Sequence, residues 1–128
     1  MPEYPLRYES GLLLAHVRLG GLAGERLLRL ALDTGATITM IPPSAALAIG
    51  LHPENSKVVR EILTASGKEH IPIVVVLRLQ IFEKTIRRIS VACHDLPPES
   101  MIDGLLGLDV LMRLKAKIDL KKRTLSIP

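Results

Sequence analysis

The residues best suited to chemistry lie in one short segment, Leu30 to Pro42, with the sequence LALDTGATITMIP. Asp33 ends an apolar run, Leu28 to Leu32, that is broken only by Arg29. Threonine, glycine and alanine follow at once. A carboxylate carried to the end of a buried strand costs more to ionise than one in water. Thr34 offers a hydroxyl, and Gly35 lets the chain turn sharply and approach its neighbours closely. A carboxylate held on a rigid turn among donors suits general acid–base work. The same triplet also suits an Asx-turn in a β-hairpin, and alone it favours that plainer reading.

Other chemical constellations are weaker. Cys93-His94-Asp95 contains the residue types of a catalytic triad, but consecutive residues cannot set nucleophile, base and orienting group in line. His16, His52, His70 and His94 show no metal-binding spacing, so neither a metal nor a cofactor is expected. Each of these histidines reads as a surface or loop residue. Cys93 is the only cysteine, which excludes an internal disulfide and fits a reducing, cytoplasmic setting.

Composition narrows the class. The chain has 128 residues, the size of one domain, and 48% of them are hydrophobic. Tyr4, Tyr8 and Phe82 are its only aromatics, so Leu, Ile, Val and Ala must fill the core. The net charge of +4 includes a cluster at Lys115, Lys117, Lys121, Lys122 and Arg123. No aromatics interleave with that cluster as single-strand binding would need, so it reads as a solvated face and no nucleic-acid partner is expected. No apolar run reaches the roughly 18–20 residues of a membrane span. The first ten residues lack the pattern of a signal peptide.

Strands must position Asp33. In GLLLAHVRLGG, Leu13, Ala15, Val17 and Leu19 share a face opposite His16 and Arg18, with Gly20-Gly21 read as a turn. RLLRLALD is the next strand, and TITMIP a short one stopped by Pro42. PPSAALAIGL reads as a short helix that starts near Pro43 and stops at Gly50. A long β region follows. Val58 to Thr64 leads into a turn, Ala65-Ser66-Gly67-Lys68. The strand from His70 to Ile81 is expected to place Ile71, Ile73, Val75, Leu77, Leu79 and Ile81 on one face, with Val74 and Val76 making the other face apolar as well. Ile89, Val91 and Cys93 alternate in the strand after it. MIDGLLGLDVLMRL runs from strand into a second short helix. KAKIDL and RTLSIP close the chain as two strands joined at Lys121-Lys122. Short strands with one or two short helices predict an all-β fold in a single domain, residues 1–128.

With this context the triplet resembles the active-site loop of the retropepsin-like aspartic proteases. The likeness rests on the strand before Asp33-Thr34-Gly35, Ala36 and TITMIP after it, and Leu105-Leu106-Gly107 about seventy residues on. It runs from about Leu12 to Ile127. The tail, GLLGLDVLMRLKAKIDLKKRTLSI, is similar to the protease-like domain of the DNA-damage-inducible ubiquitin-shuttle proteins and to small bacterial relatives of retroviral protease. The resemblance implies a closed β-barrel with Asp33 as the catalytic residue. It implies that the Thr34 hydroxyl ties two active-site loops together across a dimer. Gly35 and Ala36 would complete the turn, and Leu106 and Gly107 would support it. Asp109 would have a structural role, as an N-cap of the second helix. Thr64, Ala65, Ser66, Gly67 and Lys68 fall in the flap, the hairpin that closes over substrate, with Gly67 at or near its tip. This flap has a single glycine and no aromatic to press on substrate.

One Asp-Thr-Gly per chain has a structural consequence. Acid–base hydrolysis by paired aspartates needs two carboxylates sharing a proton, and none of the remaining aspartates begins a second such triplet. A homodimer with an extended peptide or protein substrate is therefore expected. The resemblance further implies that the closing strands, with Leu125 and Ile127 on their apolar face, interleave across the twofold axis. The rival reading is a catalytically inactive dimeric module of the same fold that binds peptides or serves as a scaffold.

Overall fold

The computed structural model describes residues 1–64 and 67–128. Two short strands, β1 (Glu3–Pro5) and β2 (Arg7–Glu9), precede a long hairpin of β3 (Leu12–Gly21) and β4 (Gly24–Leu32). The alternation in β3 is realised: Ala15, Val17 and Leu19 are buried, while His16 and Arg18 are exposed. The expected turn at Gly20-Gly21 is not. Both glycines belong to β3, and the chain reverses at Leu22-Ala23. Close packing accounts for Gly21, because a Cβ there would strike the Ile49 carbonyl.

β5 (Met40–Ile41) leads into α1 (Pro43–Ala48), which begins at a proline and is followed by Gly50 at a φ of +97°. β6 (Val59–Thr64) and β7 (Gly67–Ile81) form the next hairpin, and β8 (Lys84–Cys93) pairs along the far half of β7. Both faces of β7 were expected to be apolar in part, and burial does alternate between them, with Ile71 buried on one face and Val74 and Val76 on the other. Val74 and Val76 are buried and Val75 is 41% exposed, yet farther on Leu79 and Ile81 are the buried pair. The phase slips by one residue between Ile71 and Val74 and again between Val76 and Leu79. β8 slips alongside the second, from Ile86 to Ile89 and Val91. The second slip has a backbone feature beside it. Val76 pairs with Ile89 and Arg78 with Arg87, and between these rungs Arg88 holds a left-handed φ of +54°. A count by twos assumes an uninterrupted pleat.

β9 (Gly104–Leu106) runs into α2 (Leu108–Arg113), and β10 (Lys117–Asp119) and β11 (Thr124–Ser126) end the described chain. The larger sheet has the order β2-β3-β4-β9-β5-β8-β7-β6. β3 also pairs with β7, so β3, β4, β9, β5, β8 and β7 form a closed circuit of paired strands. Its interior holds aliphatic side chains such as Val17, Leu30, Ile41, Val76 and Leu106.

The smaller sheet has the order β1-β11-β10. This corrects the expectation that the terminal strand interleaves between two chains. β11 is flanked on both sides by strands of its own chain, Ser126 lying opposite both Glu3 and Lys117. Leu125 and Ile127 are buried in that same chain's core. Alternation revealed that β11 has an apolar face, but it could not reveal that β1 would supply the neighbouring strand.

Candidate active site

The larger sheet brings the two expected motifs together. β9 runs parallel to β4, with Leu32 opposite Leu106, and antiparallel to β5, with Leu105 opposite Met40. It therefore lies between the strand that enters the Asp33 turn and the strand that leaves it. The Asp33 amide donates to the Leu106 carbonyl at 2.9 Å, and the Ala36 amide to the Asp33 carbonyl at 3.1 Å. The Gly35 amide donates to Asp33 Oδ1 at 2.9 Å. Leu108 closes the support by donating to the Ala36 carbonyl at 2.8 Å. Gly107 fits only as glycine, because an added Cβ would meet the Ile38 backbone carbon at 2.8 Å and the Ala36 carbonyl at 2.9 Å. Leu106 and Gly107 thus sit directly beneath the turn. Asp33 itself is half-buried, whereas the apolar run before it suggested deeper burial. Its turn lies at the rim of the closed circuit and faces a cleft.

Thr39 and Asp109 tie this support together, and the first of them was missed in the sequence. Thr39 is fully buried. Its hydroxyl donates to Asp109 Oδ1 at 2.8 Å and accepts from the Gly107 amide at 3.0 Å. Its own amide donates to Asp109 Oδ2 at 3.0 Å. One threonine thus links both motifs to the start of α2. Asp109 has the structural role expected of it, but not as an N-cap. Gly107 occupies the cap position without a side-chain bond, and Asp109 lies within the first turn, facing Thr39. The available signal was a threonine recurring at every second residue, Thr37 and Thr39, inside an apolar stretch.

Asp33, Gly35 and Ala36 line a cleft of about 590 Å³. Its apolar walls include Ile38, Met40, Leu96 and Pro97, with Ile62 and Leu63 contributed by the β6–β7 hairpin. That hairpin stands where the flap was expected. Gly67 has a φ of +110°, and an added Cβ there would meet nothing within 4 Å. Lys68 reaches Glu61 across the hairpin at 3.4 Å, and the Thr64 backbone pairs with Gly67. The proposed flap residues Ala65 and Ser66 lie outside the described residues.

Thr34 does not face this cleft. It lines a separate cavity of about 430 Å³ with Leu108, Leu111, Met112, Ala116 and Ile118. The carboxylate and the threonine of the turn thus border two different hollows.

Three ionisable residues that were not assigned to the site also line the cleft: Glu69, from the segment expected to form the flap, and His94 and Asp95. His94 was expected on the surface or in a loop. It is half-buried, and its Nε2 lies 3.4 Å from Glu69 Oε2. Cys93 beside it is buried among apolar groups, and burial pushes its thiol up to about 11. It carries the proton at neutral pH, which agrees with reading Cys93-His94-Asp95 as chance adjacency.

A family model described as aspartyl protease matches residues 15–110. Among solved structures, the chain is similar to the crystal structure of a retropepsin-like aspartic protease from Rickettsia conorii. The TM-score is 0.72 at 21% identity, over 97% of this chain and 88% of that one. At that identity the likeness is one of fold, and it agrees with the mostly β, retropepsin-like class expected from the motifs. No curated protein matches the sequence. No helix among the described residues is long and apolar enough to cross a membrane.

Proposed function

This chain belongs to the aspartyl protease family, and from that premise we propose that two copies form an aspartic endopeptidase with one Asp33 from each. The observation that carries the proposal is the Asp33 turn: a half-exposed carboxylate, pinned by backbone hydrogen bonds, facing a peptide-sized cleft beneath a hairpin. The other cleft carboxylates, Glu69 and Asp95, come from the hairpin strand and the loop after β8, not from a second turn of this kind. A twofold axis beside the turn supplies the partner.

Two carboxylates in contact share one proton, because like charges so close do not both ionise readily. The ionised one takes a proton from water as the water oxygen attacks the scissile carbonyl carbon. The protonated one gives its proton to the carbonyl oxygen. When the tetrahedral intermediate collapses, the carbon–nitrogen bond breaks, the amine leaves with the proton the pair holds, and one hydroxyl of the intermediate returns its proton to the other carboxylate as the carbonyl re-forms. An extended peptide lying along the cleft can add to the hairpin as a further strand.

The second copy is best accommodated on the Thr34 side. β10 is an open edge of the smaller sheet, and its Ile118 shares a cavity with Thr34. Met112 and Leu120 are 71% and 73% exposed on either side of that strand in sequence. Apolar groups beside an unpaired strand edge suit an interface between identical chains.

The test is hydrolysis of a peptide library by the parent and by Asp33→Asn. The asparagine keeps the shape of the turn but cannot act as the base. Cleavage by the parent that is lost in Asp33→Asn, with the melting curve unchanged, is the expected result. Equal rates in the two proteins would refute the assignment.

A further inference from the structure

We infer that Glu69, backed by Asp95, makes the cleft selective for a peptide with a basic side chain at one subsite; the inference rests on the peptide-cleft reading above. It begins from the way the β6–β7 hairpin sorts its charges. On that hairpin Glu61 is engaged from both sides, by Lys68 at 3.4 Å and by His70 at 3.7 Å. Lys68 and His70 flank Glu69 in β7 and, by the alternation of a strand, stand on the opposite face. Glu69 pairs across the hairpin with Ile62, and both line the cleft. The hairpin therefore aims one carboxylate at the cleft while Lys68 and His70 stand on the other face beside Glu61; Arg60 is exposed on the face of Ile62 but does not line the cleft.

The facing wall reinforces the sign. Asp95 follows His94 in the loop after β8, and both line the same cleft as Glu69. His94 is the only basic residue lining the cleft among the described residues, and its charge is conditional on protonation. Glu69 and His94 are 39% and 36% exposed in their side chains, so solvent and substrate reach both. A lysine or arginine side chain carries a permanent charge and a long apolar stem. It can lay that stem on Ile62 and Leu96 and bring its head to Glu69, replacing a conditional partner with a constant one. Neutral side chains gain only the apolar contacts.

The test uses matched peptides carrying lysine or norleucine at each position in turn, which keeps the stem and varies only the charge. Two readings are taken: kcat/KM with the parent, and Kd with the Asp33→Asn protein, which does not depend on catalysis. At one position lysine should be favoured by roughly two- to fivefold, the scale of a partly exposed ion pair. Glu69→Gln should bring that ratio close to one, and Glu69→Lys should turn the preference toward glutamate at the same position. If the lysine and norleucine peptides are equivalent at every position in Kd, the inference is wrong whether or not the protein cleaves. If the preference exists but persists in Glu69→Gln, Glu69 is not its source. Failure of hydrolysis with the Kd preference intact would refute the enzymatic reading and leave the selectivity standing.

Discussion

At the scale of single residues, Asp33 is the residue proposed to supply the chemistry, and Thr39 holds its surroundings in place. The Thr39 hydroxyl serves as donor to Asp109 and acceptor for the Gly107 amide, with no exposure to water. Thr39→Val preserves shape and orphans a buried amide. A cost of about 1–3 kcal/mol in urea unfolding is expected, because a buried unsatisfied group forfeits its solvation. Thr39→Ser should recover most of it. A stable Thr39→Val protein would mean that water takes over the hydroxyl's role. Cys93 gives a second residue-level test. Its thiol is raised to about 11 from an ordinary value near 9.0. The unfolded chain therefore releases that proton first as pH rises. The contribution is complete below pH 9 and is lost as pH climbs toward 11, on the order of 2 kcal/mol. Melting temperatures followed over that range should fall more steeply for the parent than for Cys93→Ala. Parallel slopes would show that Cys93 does not titrate in this way. At this scale the sequence was legible where a residue announces itself in a motif. Asp33, Gly35 and Gly107 stand out by type and context. Thr39 and Glu69 do not, because their importance depends on what lies opposite them in space.

At the scale of elements, composition and periodicity identified most strands and both helices, including the proline start of α1 and the glycine after it. They failed where the backbone departs from a regular pleat. The slip between Val76 and Leu79 lies beside a left-handed Arg88, and nothing about an arginine signals that conformation. They also failed where the pairing is nonlocal: β11 finds β1 across nearly the whole chain. That pairing moves the expected interface from β11 to the open edge of β10. Met112 is 71% exposed on α2 and shares the Thr34 cavity with Ile118 of β10. Met112→Asp should therefore shift the protein toward monomer in light scattering, with its thermal stability at low concentration little changed. A mutant as dimeric as the parent would place the seam elsewhere. Removing Leu125 to Pro128, by contrast, should unfold the chain, because Leu125 and Ile127 are core residues of a single copy.

At the scale of the whole molecule, the closed strand circuit is a frame that presents one Asp-Thr-Gly turn to the cleft, and on the function proposed above a second copy completes the site. The floor of the cleft is built from three strands and a buried threonine, and the β6–β7 hairpin contributes its Ile62 and Leu63. The central claim is that one catalytic centre needs Asp33 from two chains. Mixing parent and Asp33→Asn subunits, allowing exchange, and measuring activity against the parent fraction tests it directly. If both aspartates are required, activity follows the square of that fraction, and an equal mixture should show about one quarter of the all-parent rate. A linear dependence, with about one half at the same mixture, would mean that each chain works alone and would contradict the shared site.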